Sequence, residues 1–165
     1  MFKKLSMIAN GITLLSMIVF AVVTLNSASA QTAIDDSFLE DIISNVSEHA
    51  CMEEALFHEA RNQSTKGIES VAWVIMNRVA SKHYPNTVCD VVHQGVQDSA
   101  GNMIRNKCHF SYYCDGKSDD LSKFSKNVIA AKALLTIGKI SDEIITAAQN
   151  GKSDPTNGSV MYHTT

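Results

Sequence analysis

The sequence predicts a mainly α-helical domain with a small β-sheet, an α+β class built around one core. Apolar residues recur at i, i+3, i+4 spacing over Met52–Glu59 and Ile68–Val79, and helical periodicity returns after Ser122. Segments that read as strand are few and short, Phe110–Tyr113 and Val160–His163.

Residues 1–30 read as a targeting segment. Lys3 and Lys4 give a basic start, Ile12–Leu25 is mostly apolar and uncharged, and Ala28-Ser29-Ala30 is an A-x-A cleavage signal before Gln31. The apolar run is short for a membrane span, which needs about 20 apolar residues. The expected mature protein is residues 31–165, secreted to the periplasm or cell envelope and free of the membrane once the signal is cleaved.

After a loose lead-in at Gln31–Ile34, Asp36 is placed to N-cap an accessory helix with Leu39, Ile42, Ile43 and Val46 on one face. Residues 31–47 would precede a main domain over 48–165. A second helix follows and ends near Arg61-Asn62-Gln63. Ser64 or Thr65 caps a third that runs to about Ala80, with Ile68, Val71, Ala72, Ile75 and Val79 on one side. Trp73, Val74 and Met76 add another apolar side, which predicts the most buried helix. Pro85-Asn86 breaks the pattern, and Val88, Val91 and Val92 then suggest a short helix. Gly95–Lys107 is polar and aperiodic, a surface loop, and Phe110–Tyr113 reads as extended. A helix over Ser122–Ile137 carries Phe124, Val128, Ala131 and Leu135, stops at Gly138, and is followed by a short helix over Asp142–Gln149. Asp154-Pro155-Thr156-Asn157-Gly158 is a turn before the terminal strand.

The chain has 14 basic and 17 acidic side chains and a net charge of −3. Residues 1–30 hold two of the basic side chains and no acidic one, so the rest has 12 against 17, a net of −5. There is no basic block, hence no electrostatic footprint for nucleic acid or anionic membrane surfaces. The four cysteines, Cys51, Cys89, Cys108 and Cys114, follow the targeting segment, and an even count in that setting favours disulfides. Of three pairings, Cys51–Cys89 with Cys108–Cys114 is favoured, since the second closes a short local loop. The spacing has no C-x-x-C and is not a common zinc pattern.

The chemistry centres on Glu59. It follows Met52, Ala55 and Leu56 by seven, four and three residues, which turns it toward their inward face. A carboxylate there is costly unless paired or protonated. Desolvation raises the pKa of such a group, which is how a carboxyl becomes a general acid near neutral pH. An ion pair with Arg61 or Arg78 is the structural alternative. His58-Glu59 invites a zinc-protease reading, but Asn62 stands where H-E-x-x-H needs its second histidine. No nucleophile elbow, P-loop or dinucleotide fingerprint occurs. Carboxylate chemistry remains, as in glycoside hydrolysis. Of the neighbouring acids, Glu53 and Glu54 are rotated away from Glu59 on the helix, and Glu69 lies near the start of the next one. A single-acid reaction, with the substrate supplying its own nucleophile, fits a lytic transglycosylase acting on peptidoglycan.

The ordered fragments Glu54-Ala55, Glu59-Ala60-Arg61, Gly67, Asn77-Arg78-Val79, Pro85-Asn86-Thr87-Val88-Cys89, Gln94, Cys108 to Phe110-Ser111, Cys114-Asp115-Gly116 and Asp154–Gly158 resemble the SleB-type, or spore-cortex-lytic-type, cell-wall hydrolases. The resemblance spans about Cys51 to His163. It implies a lysozyme-like domain that cleaves the glycan between N-acetylmuramic acid and N-acetylglucosamine, with an anhydro-muramoyl product and no cofactor. The family's catalytic glutamate falls on Glu59, and Phe110, Ser111, Tyr112, Tyr162 and His163 are implied to line the glycan groove. Alternation along an extended Phe110–Tyr113 puts Phe110 and Tyr112 on one face and Ser111 and Tyr113 on the other, and the cost of burying hydroxyls turns Ser111 and Tyr113 to the substrate. Asn62-Gln63 stands where the family often has Gly-Glu. Relatives usually continue past the final histidine, so a shortened last strand or groove floor is expected here. Rival functions are a stem-peptide amidase, which normally needs zinc, and a non-catalytic peptidoglycan-binding protein.

Overall fold

The computed structural model describes residues 36–152 and 154–162. Residues 1–30, expected to be a targeting segment, the lead-in 31–34 and His163 lie outside the described residues. The chain divides into two compact units, Met1–Glu40 and Asp41–Thr165. The described residues of the first, 36–40, are all exposed.

The elements are helix α1 (Asp36–Ala60), α2 (Thr65–Ala80), α3 (Val88–Val92), strands β1 (Gly95–Gln97) and β2 (Met103–Cys108), 3-10 turns at Ser111–Cys114 and Leu121–Phe124, and helix α4 (Val128–Gln149). The two strands pair antiparallel, and the rest of the ordered structure is helical, so the mainly α class with a small sheet holds.

The accessory helix and the Glu59 helix are one continuous helix. No glycine or proline stands between Val46 and Met52, and nothing else there stops helix propagation. The first half of α1 is exposed along the predicted stripe: Leu39, Ile42, Ile43 and Val46 face solvent. Burial begins at Met52 and takes in Ala55, Leu56, Phe57 and Ala60. Ser64 caps α2, its hydroxyl accepting from the Gly67 N–H at 3.3 Å. Ile68, Val71, Ala72, Trp73, Val74 and Ile75 of α2 are buried, which makes it the central helix that its two apolar sides predict. Each large aliphatic or aromatic side chain so buried stabilises the fold by about 1.5–3 kcal/mol.

Thr87 caps α3 by accepting from the Asp90 N–H at 3.1 Å. A disulfide joins Cys51 of α1 to Cys89 of α3, and the Glu48 carboxylate accepts from the Val88 N–H beside it. The second disulfide joins Cys108 to Cys114. Both favoured pairings are therefore present. Cys51→Ser with Cys89→Ser is expected to lower stability by about 2–5 kcal/mol, as read from melts of the oxidised protein. An unchanged melt would mean that the bridge does not hold α1 to α3.

Four local expectations change. Gly95–Lys107 is a hairpin and not a loop. Its turn is built by Asp98, whose carboxylate accepts from the Ala100 and Asn102 N–H groups at 2.9 Å each, and by Gly101 at φ +84°. At Gly95 a Cβ would come within 2.8 Å of Cys108 Sγ, so only glycine fits against the bridge. The Phe110–Tyr113 segment is not extended. Six residues of extended chain would span about 20 Å, whereas the Cα atoms of Cys108 and Cys114 lie 6.0 Å apart, and the 3-10 turn provides the contraction.

Gly138 does not stop a helix. α4 runs through it from the Asn127 cap to Gln149 and merges the two predicted helices. A Cβ at Gly138 would lie 3.2 Å from Glu53 Oε1, so a side chain there would press on that carboxylate. The glycine's cost of about 1 kcal/mol is outweighed by burial of Ile137, Ile140, Ile144 and Ile145, which face α2 instead of the predicted Val128 and Leu135, both exposed. Finally, Val160–Tyr162 is not a strand. It follows the predicted turn over 155–158 as irregular chain, held by side chains of α2.

Candidate active site

The last two turns of α1 bring Glu54, His58 and Glu59 beside the Ser111–Cys114 turn. Tyr112 from that turn is buried, and its ring stacks on His58 at 4.8 Å between centroids and 10° between planes. Its phenol is pushed well above the usual range, first by burial, then by the charges of Glu54, Asp119 and Glu59. The hydroxyl interacts with the Glu54 carboxylate, short of full hydrogen-bond geometry. Tyr112 therefore lies within electrostatic reach of both Glu54 and Glu59. Glu54, which helical spacing turns away from Glu59, acts on the same phenol.

Burial raises the Glu54 pKa, the Asp119 charge adds to this, and the Tyr112 hydroxyl opposes it. Oε1 of Glu54 lies 3.9 Å from His93 Nε2. Burial pushes the His93 pKa down, against the pull of Asp90 and Asp119. His93 in turn stacks on Tyr113 at 4.1 Å and 20°. Beyond this pair opens a cavity of about 470 Å³, lined by Pro85, Asp90, His93, Gln94, Gly95, Gln97, Met103 and Tyr113. Glu59 is not among its lining residues.

Glu59 itself is half-buried. Among the described residues it forms no ion pair within 4.0 Å. Arg61 donates to the Phe57 carbonyl at 3.1 Å and lies over the Phe57 ring. Arg78 lies over the rings of Phe110 and Tyr84 at 5.1 and 5.4 Å. What meets Glu59 is Tyr162. Burial raises the Tyr162 phenol first, and the nearby Glu59 carboxylate raises it further, against Arg78.

Tyr162 is held there by α2. Arg78 Nε donates to the Val160 carbonyl at 3.0 Å. Asn77 Nδ2 lies 2.8 Å from Asp154 Oδ2, 3.1 Å from Thr156 Oγ1 and 2.9 Å from the Ser159 carbonyl. Asp154 also accepts from the N–H groups of Thr156 and Gly158. Burial works to raise the Asp154 pKa, but these hydrogen bonds outweigh it and hold the carboxyl below its usual range. Asn77→Ala is expected to cost about 1–3 kcal/mol, measured by melts, because it strands these acceptors. The fold of the loop should also depend on acid. A carboxyl depressed in the folded state stabilises it fully above the ordinary aspartate pKa of about 3.9. That stabilisation is lost as pH falls through the lower folded value. Amide exchange at residues 154–162 should therefore speed up below about pH 3.9, and rates that only track the intrinsic pH dependence would refute the loop's reliance on Asp154.

Of the groove residues the sequence suggests, Glu59, Tyr112 and Tyr162 come together, and Tyr113 lines the adjoining cavity. Ser111 is exposed. Phe110 is fully buried as a platform under Arg78 and Tyr162, 6.3 Å from the latter ring, and offers no surface to a ligand. His93 and Asp119 are candidate site residues that sequence reasoning missed, and Glu54 is one that it sets aside as rotated away. Glu53, the other neighbouring acid, faces α4 at Gly138, and Glu69 lies on the α2–α4 surface with Lys132 and Lys139. Among the described residues, no group of three or more His, Cys, Asp or Glu is arranged to hold a metal ion.

The family model described as Cell Wall Hydrolase matches residues 62–165. The match begins at Asn62, just past Glu59, and takes in Asn77, Arg78, Cys108–Cys114 and Asp154–Gly158. No curated protein and no solved structure matches the chain. With more than half of its length matched, in agreement with the resemblance read from its motifs, the chain belongs to the SleB-type Cell Wall Hydrolase family.

Proposed function

We propose that this cell-wall hydrolase is a secreted lytic transglycosylase that cuts peptidoglycan glycan strands with Glu59 as its acid. The observation that carries the reading is the setting of Glu59: a half-buried carboxyl, unpaired with any cation among the described residues, beside the phenols of Tyr162 and Tyr112. A carboxyl free of ion pairs in a partly water-excluded site is placed to act as a general acid. The Glu59 carboxyl gives its proton to the glycosidic oxygen, and the bond from that oxygen to C1 of the muramoyl sugar breaks. The muramoyl 6-hydroxyl then bonds to C1 and returns its proton to Glu59. No water is consumed, and the sugar leaves as a 1,6-anhydro ring.

Glu54 supports a second reading. It shares Tyr112 with Glu59, and two carboxyls flanking a glycosidic bond are the usual apparatus of hydrolysis, one as acid and one acting with water. The product decides between them. Purified sacculi digested with the protein and analysed by mass spectrometry should release anhydro-muropeptides. Reducing-end sugars would favour plain hydrolysis, free stem peptides an amidase, and no release a binding protein.

A further inference from the structure

The geometry points to the cavity between α3, the hairpin and the Ser111–Cys114 turn as a saccharide subsite, one that takes an uncleaved N-acetylhexosamine of the glycan strand. It rests on the reading of the substrate as a glycan, and it assigns binding to His93, Gln94 and Gln97 beside Tyr113.

The volume, about 470 Å³, is in the range of small-ligand sites, about 300–1,000 Å³. Its wall combines the two things a sugar needs. Tyr113, stacked on His93, supplies a flat aromatic surface for the C–H face of a pyranose ring. Gln94 and Gln97 supply amides for hydroxyl and N-acetyl groups. Gln94 Oε1 is buried and has no hydrogen-bond partner among the described residues. An acceptor left in that state costs free energy, which a ligand donor would recover.

Charge selects against the other parts of peptidoglycan that carry carboxylates. The lining holds Asp90 and no lysine or arginine, and Glu54 stands behind His93. Asp119 also acts on His93, whose pKa is depressed, so the imidazole offers no lasting counter-charge. A lactyl or stem-peptide carboxylate would meet only like charge. A neutral sugar meets none.

The wall is also rigid. Tyr113 adjoins Cys114, bridged to Cys108, and Gly95 lies against that same bridge with no room for a Cβ. A platform fixed before binding loses little entropy when the ligand arrives. Two side chains of the cavity wall link it to the candidate active site. His93 approaches Glu54, and Tyr113 is the chain neighbour of Tyr112, which both Glu54 and Glu59 address. One strand could thus lie across Tyr113 while its scissile bond meets Glu59.

The test is calorimetric titration of the full chain carrying Glu59→Gln, which prevents turnover, with chitotriose, a neutral oligomer of N-acetylglucosamine. Saturable binding is expected. Adding Tyr113→Ala should weaken it about tenfold, or ~1.4 kcal/mol, while Tyr113→Phe keeps the ring and retains affinity. Gln97 is exposed, so Gln97→Ala should weaken binding without changing the melt. Absence of chitotriose binding, equal affinity in the Tyr113→Ala and Gln97→Ala proteins, or capture of a free stem peptide in place of the sugar would each overturn the assignment. The outcome is separable from the catalytic reading. Cavity-dependent sugar binding by a protein whose Glu59 form releases no product from sacculi would leave the subsite standing and remove the transglycosylase. Anhydro products with cavity-independent binding would do the reverse.

Discussion

Glu59→Gln is expected to lower release of soluble muropeptides from purified sacculi by about 10²–10⁴-fold, the usual loss when a general acid is removed. Glutamine keeps the shape of the side chain and can still contact the Tyr162 hydroxyl, so the melt and the retention of the protein on sacculi should stay close to those of the unsubstituted chain. The position supports this asymmetry. Glu59 is half-buried and in no ion pair among the described residues, so no buried cation is stranded by the change. An active Glu59→Gln protein would remove Glu59 from the chemistry and turn attention to Glu54.

Phe110→Ala should have the largest effect on stability, about 3–5 kcal/mol by the usual cost of deleting a buried phenylalanine. Phe110 is 0 % exposed and belongs to the main core. Its ring also lies under the Arg78 guanidinium and beside Tyr162, so the cavity left behind would loosen the group that meets Glu59. Activity should therefore fall in the fraction that remains folded. Tyr113→Ala provides the contrast. Tyr113 is half-buried at the edge of the cavity, and its loss should change the melt little. Equal melting of the Phe110→Ala and unsubstituted proteins, with unfolding of Tyr113→Ala, would reverse the inward and outward assignment of this turn.

The legible parts of the fold are those whose determinants are local. Ser64 and the spacing from Ile68 to Val79 are enough to specify α2, because cap and buried stripe lie within one segment. Phe110 and Tyr112 face the core and Ser111 and Tyr113 do not, even though the backbone is a 3-10 turn and not a strand; the Tyr112 hydroxyl is buried all the same, so the cost of burying hydroxyls does not account for the pattern. The hairpin escaped notice because neither of its faces is buried: Val96 is exposed and β2 is at most half-buried, so no alternation marks it. Gly138 marks no boundary, since burial of Ile137, Ile140, Ile144 and Ile145 around it carries α4 through a residue of poor helix propensity.

The same distinction runs through the site. Glu59 can be picked out from its place on the apolar stripe of α1. Glu54 cannot, because residues five apart on a helix diverge by about 140°, and it is Tyr112, arriving from nearly sixty positions along the chain, that lies within electrostatic reach of both. The attachment of Val160 and Ser159 to Arg78 and Asn77 bridges 82 positions in each case and leaves no mark in the local pattern. Val160 and Tyr162 have strand-like side chains, but side-chain hydrogen bonds from α2 hold this backbone instead of a sheet.

The central claim is that the substrate's own hydroxyl, and not water, completes the reaction begun by Glu59. Digestion of sacculi in heavy-oxygen water measures this directly. The account predicts muropeptides lighter than their hydrolytic counterparts by one water and free of heavy oxygen at C1. Incorporation of heavy oxygen at C1 of the released sugars would contradict it and establish a hydrolase, with Glu54 as the second carboxylate to test.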